Sequence, residues 1–218
     1  MTTRTSPARP TPADSKPRSN LVLLGAIAAV IVAALVAFVV VMVTGDDDST
    51  AMTAFDTTTA SVSGNALQPS PAEGTDPAVG QTAPVITGKG RDGASLTAPE
   101  SGRPTVLLFL AHWCPHCQAE VPVVRDWVDA GNLPDDVDLI GVATAMSTDR
   151  PNYPPSAWLD REKWDVPTIA DATGVAAKSY GLSAFPFWVA IDESGKVVER
   201  RTGELSPAEI SSLVALVR

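Results

Sequence analysis

The chain contains only two cysteines, three positions apart in the segment Trp113-Cys114-Pro115-His116-Cys117. A disulfide across so short a loop removes little chain entropy, so its contribution to stability would be small. The spacing does permit reversible closure of a local disulfide, which is redox chemistry. The pair therefore predicts a centre for thiol–disulfide exchange.

The same sulfurs could instead form half of a zinc site or a structural disulfide. A closed zinc site needs four ligands, and only His112 and His116 could complete it. A strand and a helix would hardly bring both imidazoles onto one ion, and His112 is expected only to shape the turn. We expect no metal and no other cofactor.

A buried strand and a helix are predicted to hold the two sulfurs. Residues 105–111 form a continuous apolar run, typical of a strand buried on both faces. Apolar residues recur at helical spacing over residues 118–130, and Gly131 marks the end of that helix. Cys114 then lies where the strand turns into the helix, with Pro115 in the first helical turn.

This placement predicts that the two thiols differ. The free N–H groups and the positive dipole end of the helix favour a thiolate at Cys114. His116 is expected to add a donor, or a positive charge when protonated, beside the same sulfur. Cys117 lies one turn further in and should be more shielded. Cys114 is therefore predicted as the exposed nucleophile and Cys117 as the sulfur that resolves the mixed disulfide.

These motifs resemble the thioredoxin-like superfamily, over about residues 80–218. Its members share the strand, a Trp-Cys-x-x-Cys at a helix start and a later Phe-Pro before another strand. The closer resemblance is to membrane-anchored, extracytoplasmic proteins of the TlpA/ResA type, which carry Trp-Cys-x-x-Cys-x-x-Glu-x-Pro. The matching residues here are Trp113, Cys114, Cys117, Glu120 and Pro122. The Cys-Pro-His-Cys centre is instead similar to that of DsbA, the periplasmic oxidase.

The resemblance implies roles for residues outside the cysteine motif. Pro186 is expected to follow a cis bond beside the sulfurs, where the backbone of Phe185 would pair with an extended substrate segment. Glu120 is expected near the sulfurs, where it would raise a thiol pKa or relay a proton; the alternative is a solvated surface acid. Within the motif, and independently of the resemblance, Trp113 is expected to shield the disulfide at the substrate-binding surface, and simple packing is its alternative.

The remaining segments predict an α/β thioredoxin fold with a mixed central sheet and helices on both faces. Further strands are expected at residues 137–144, 166–170, 186–191 and 196–200, and further helices at 155–164, 175–180 and 207–217. Residues 145–165 read as a proline-rich connection. Its aromatic residues would line a groove or form a satellite core: Tyr153, Trp158 and Trp164.

Residues 21–43 carry no charge over 23 positions, enough for a helix to cross a hydrocarbon core of about 30 Å. Basic residues precede this run, and Asp46, Asp47 and Asp48 follow it. The positive-inside bias predicts a single-pass anchor in the cell membrane, with the N-terminus cytoplasmic and the catalytic domain extracytoplasmic. A cleaved signal peptide is the alternative, but its apolar region is usually shorter, about 7–15 residues.

Four parts of the chain are therefore expected. Residues 1–20 predict a disordered cytoplasmic tail, 21–43 the anchor, 44–79 a flexible linker and 80–218 the thioredoxin-like domain. The formal charge of −9 argues against nucleic-acid binding.

The predicted function is membrane-tethered thiol–disulfide exchange with extracytoplasmic protein thiols or disulfides, together with a membrane redox partner. Cys-Pro-His-Cys favours an oxidase, because histidine would stabilise the reduced, thiolate form. The TlpA/ResA-like frame favours a reductase fed by a membrane electron donor, for example one serving cytochrome c maturation. The alternative from another class is a non-catalytic thioredoxin-fold binding module, which would tolerate the loss of Cys114.

Overall fold

The computed structural model describes residue 31 and residues 52–218. The predicted tail at residues 1–20 and, apart from Ile31, the predicted anchor at 21–43 lie outside the described residues. Within the described part of the chain, no helix combines the length and the apolar character needed to cross a membrane.

Residues 52–218 form two sheets. The strands are β1 Ser61–Ser63, β2 Val85–Lys89, β3 Ser95–Ala98, β4 Thr105–Leu110, β5 Asp138–Thr144, β6 Thr168–Asp171, β7 Phe187–Ile191 and β8 Val197–Thr202. The larger sheet has the order β6-β5-β4-β7-β8, and the smaller one is β1-β2-β3. Strands β4, β5 and β6 are parallel, whereas β7 runs antiparallel to both β4 and β8. The mixed central sheet is as predicted.

Helices cover both faces of the larger sheet. They are a 3-10 helix at Ala54–Thr57 and the α-helices α1 Pro115–Asp129, α2 Pro155–Arg161, α3 Val175–Ser179 and α4 Pro207–Ala215. All six residues of β4 are buried, because alternate side chains feed two separate cores. Val106 and Leu108 join the core under α1 and α4, while Leu107 and Phe109 join the core that includes residues of α3. Trp158 and Trp164 are fully buried, so they belong to the core.

The flexible linker predicted at 44–79 is wrong for residues 52–79, which fold onto the domain. β1 pairs with β2 along its whole length, and Phe55 is only 2% exposed. Arg200 of β8 forms a buried ion pair with Asp76. The small, polar composition suggested a linker, but a few buried side chains and one ion pair are enough to fix the segment. The described fold therefore includes residues 52–79 as well as the domain predicted from residue 80.

The packing of residues 52–79 on the domain can be tested by truncating the side chain of Phe55. Phe55→Ala should lower the free energy of unfolding by about 3–5 kcal/mol, because it leaves a cavity in the core. Val79→Ala in the same segment is the matched control and should have little effect, since Val79 is 51% exposed. Urea unfolding of both variants gives the comparison. If both variants left the free energy of unfolding nearly unchanged, residues 52–79 would not be packed against the domain.

Candidate active site

The two cysteines lie at the turn from β4 into α1. Cys114 is the N-cap of α1, and Pro115 occupies the first helical turn, as predicted. The backbone N–H of Cys114 donates to the carbonyl of Ala111 at 3.0 Å, which closes the turn. Both thiols are free. Cys114 is 6% exposed and Cys117 has no exposed surface, so Cys114 is the more accessible sulfur but is less open than expected.

Cys117 is held in a desolvated environment. Burial raises the pKa of the Cys117 thiol far above its ordinary value, and the neighbouring Cys114 and Glu120 add to the rise. The N–H of Ala111 donates to the Cys117 sulfur at 3.4 Å and acts in the opposite direction. Cys117 is therefore a neutral thiol that must lose its proton before it can attack. A resolving cysteine needs that ability only after the mixed disulfide has formed.

Glu120 is a buried carboxyl close enough to Cys117 to influence its pKa. It is 1% exposed, so the alternative of a solvated surface acid is wrong. Both its oxygens accept from the N–H of Leu205, at 3.1 and 3.0 Å. Burial raises the pKa of Glu120 to about 7, the Leu205 N–H opposes the rise, and the charges of Glu204 and Glu209 add to it. A carboxyl with this pKa can take up or release a proton near neutral pH.

His116 lies on the exposed side of α1 and has a different partner from the one expected. Its Nδ1 is 2.6 Å from a carboxylate oxygen of Glu204, and the imidazole is 70% exposed. Among the described residues, no hydrogen bond joins His116 to the sulfur of Cys114. A carboxylate is a stronger partner for an imidazole N–H than a neutral thiol is. The imidazole expected to act on Cys114 is therefore engaged by Glu204 instead.

The predicted substrate-binding residues lie together. The Phe185–Pro186 bond is cis, as predicted. The rings of Trp113 and Phe185 meet edge to face, with 6.0 Å between centroids. The indole N–H of Trp113 donates to the carbonyl of Ala145 at 2.8 Å, which fixes the ring beside the cysteine turn. Trp113 is partly buried, so packing and contact with a substrate are both open to it.

His112 fixes the loop at residues 147–152 against the cysteine turn. Its Nε2 accepts from the N–H of Ser147 at 3.1 Å, so Nδ1 carries the proton and donates to the carbonyl of Pro151 at 2.7 Å. This pattern requires a neutral imidazole, and burial lowers the pKa of His112. The imidazole of His112 therefore has a structural role, but its hydrogen bonds hold the 147–151 loop rather than the cysteine turn itself.

Sequence reasoning gave no reason to single out Asp56 or Glu204. Asp56 is buried and accepts from the N–H and the hydroxyl of Ser156, at 2.8 and 2.7 Å, at the start of α2. The signal for Asp56 was the capping box that it forms with Thr53, inside a segment read as linker. Nothing in the sequence indicated that Glu204 would meet His116.

The fold and the two unequal sulfurs define a thiol–disulfide oxidoreductase with a thioredoxin-like fold. The Redoxin family profile matches residues 78–217, and the chain belongs to this family. It is 32% identical over 137 residues to the soluble secreted antigen MPT53 of Mycobacterium tuberculosis, covering 62% of this chain and 72% of that protein. It is 25% identical over 119 residues to sporulation thiol-disulfide oxidoreductase A of Bacillus subtilis, covering 55% and 71%.

Solved structures agree with this assignment. The crystal structure of StoA from Bacillus subtilis aligns with a TM-score of 0.54 and 25% identity, over 63% of this chain and 98% of that one. The structure of DsbF from M. tuberculosis, in mixed oxidised and reduced forms, aligns with a TM-score of 0.51 and 26% identity, over 61% and 94%.

The raised pKa of Glu120 predicts a pH dependence of stability. Since the pKa is about 7 in the folded chain against an ordinary 4.5, the stability that depends on neutral Glu120 is fully present below pH 4.5. It is lost as the pH rises through 7. Between pH 4.5 and pH 7 the free energy of unfolding of the unmodified protein should fall by on the order of 3 kcal/mol more than that of Glu120→Gln, which has no carboxyl to titrate at this position.

Urea unfolding between pH 4.5 and pH 8 measures this difference. Glu193→Gln, which changes an exposed turn residue, is the matched control and should follow the unmodified protein. Parallel curves for the unmodified protein and Glu120→Gln would show that Glu120 is ionised throughout.

Proposed function

We propose that the protein is a membrane-tethered thiol–disulfide oxidoreductase acting on proteins outside the cytoplasm. The exchange chemistry rests on one observation, the asymmetry of the two sulfurs. Cys114 lies at a helix N-terminus and is the more accessible thiol, while Cys117 is fully buried beside Glu120. This arrangement separates the sulfur that meets a substrate from the sulfur that resolves the complex.

Written in the reductive direction, the exchange has two steps. The Cys114 thiolate attacks a substrate disulfide, and one substrate sulfur leaves with the electron pair of the broken bond. Cys117 then loses its proton and attacks the sulfur of Cys114, which releases the second substrate sulfur. Two electrons reach the substrate, and the Cys114–Cys117 disulfide remains. Glu120, with a pKa of about 7, is the group placed to take the proton of Cys117.

The membrane tether rests on the uncharged run at residues 21–43. Residues 44–51 separate that run from the start of the described domain. The chain enters this domain close to the active-site turn, since the hydroxyl of Tyr153 donates to the sulfur of Met52 at 3.5 Å. The ring of Tyr153 in turn packs against His112, with 5.7 Å between centroids. A redox partner in the same membrane is part of this proposal.

Location can be tested with the full chain carrying Cys117→Ala, which leaves Cys114 as its single cysteine. A membrane-impermeant maleimide should label this variant in intact spheroplasts, and the chain should stay with the membrane after an alkaline carbonate wash. Cys114→Ala with Cys117 retained controls for labelling of the buried sulfur. Labelling only after lysis, or release by the wash, would contradict the proposed location.

For the direction of electron flow, we propose a reductase. The argument for an oxidase drew on His116 as a group that stabilises the Cys114 thiolate, and His116 pairs instead with Glu204, its Nδ1 lying 2.6 Å from a carboxylate oxygen. The buried Cys117 adds no thiolate stabilisation, because its pKa is raised. An oxidase remains the second candidate, favoured by the Cys-Pro-His-Cys sequence itself.

The reduction potential distinguishes the two directions. For a reductase, the full-length protein in detergent should lie nearer the thioredoxin value of about −270 mV than the DsbA value of about −120 mV. His116→Gln should move the potential by less than about 30 mV, because the imidazole is engaged by Glu204. Glutathione equilibration with thiol trapping gives both values. The oxidase would be established by two results together. The unmodified protein would have a potential near that of DsbA, and His116→Gln would lower it by more than about 30 mV.

A further inference from the structure

A cation lies directly against the active-site tryptophan. The guanidinium carbon of Arg150 is 5.0 Å from the centre of the Trp113 ring, within the range of a cation–π contact. Trp113 is itself held by the carbonyl of Ala145 and by the edge of Phe185. Arg150 is exposed, so its charge stands at the surface beside the ring that adjoins Cys114.

Arg150 differs from most arginines in the described part of the chain because no carboxylate pairs with it there. Six others form ion pairs: Arg91, Arg103, Arg125, Arg200, Arg201 and Arg218. The imidazole of His116, three positions after Trp113 in the sequence, is also paired, with Glu204. Arg150 therefore carries a positive charge at the mouth of the site that is free to meet a carboxylate from another molecule.

The loop that carries Arg150 is fixed in place. The backbone N–H of Arg150 donates to the carbonyl of Ser147 at 3.3 Å. His112 binds this loop on both sides of Arg150, through the N–H of Ser147 and the carbonyl of Pro151. Because His112 directly precedes Trp113, the tryptophan and the arginine are positioned by the same residue. A ligand would meet a preorganised cation, which lowers the entropic cost of binding.

We infer that Arg150, stacked on Trp113, recognises an acidic side chain next to the reacting cysteine of the substrate protein. The inference rests on the proposed function and names the class of substrate that the site prefers. A substrate segment extended along Phe185 would carry the neighbours of its cysteine across Trp113. A carboxylate among those neighbours would meet the guanidinium, whereas a lysine there would be repelled.

The test uses the reduced full-length protein in detergent and three peptide disulfides that differ only beside the cysteine, with Asp, Asn or Lys. Second-order rate constants are measured for each and divided by those of the same peptides with dithiothreitol, which removes differences in intrinsic reactivity. The normalised Asp rate should exceed the Lys rate by about threefold or more at low salt, the scale of an exposed charge pair. The ratio should shrink at high ionic strength.

Arg150→Gln should bring the Asp-to-Lys ratio close to one. Lys178→Gln removes the same charge from an exposed position of α3, a helix on the opposite face of the sheet from α1. This matched control should leave the ratio unchanged. A ratio that survives Arg150→Gln, or that falls equally in Lys178→Gln, would overturn the inference. Failure of the protein to react with any of the three peptides would instead overturn the proposed function.

Discussion

The site depends on Ala111, where the central strand ends. Its carbonyl accepts the N–H of Cys114 at 3.0 Å, and its own N–H donates to the sulfur of Cys117 at 3.4 Å. One backbone unit therefore sets the positions of both cysteines. Ala111 follows a strand buried on both faces, so the turn cannot shift without disturbing two cores. The buried strand β4 therefore holds the two sulfurs in fixed positions. Thiol exchange requires them to be close together and aligned.

The same packing creates the chemical difference between the thiols. α1 covers one core of the sheet, and the helix turn that brings Cys117 inward also buries Glu120. Burying an ionisable carboxyl without a cationic partner is costly, and here the N–H of Leu205 only partly offsets that cost. The buried Glu120 therefore lowers the stability of the domain but places a titratable carboxyl beside Cys117. Ionisable groups with perturbed pKa values are typical of functional sites.

The features that follow from local sequence were predictable. Periodicity and turn residues were enough to predict the apolar strand β4, the helix capped by Cys114 and the order of the later elements. The family resemblance supplied the cis bond before Pro186. The partner of His116 lies 88 positions away, and Ser156 lies 100 positions from Asp56. Such long-range pairs depend on how surfaces meet after folding, and local patterns do not contain that information.

The folded segment at residues 52–79 also restricts where the chain can be cut without damage to the folded domain. Asp56 holds the start of α2, and Asp76 neutralises the buried Arg200. A protease that cut between these two acids would detach the first from the domain and expose Phe55, so it would damage the enzyme rather than free it. If the protein is tethered as proposed, an intact, active form could be shed only by cleavage before residue 52. The length of any secreted form would therefore be set by the fold and not by protease specificity alone.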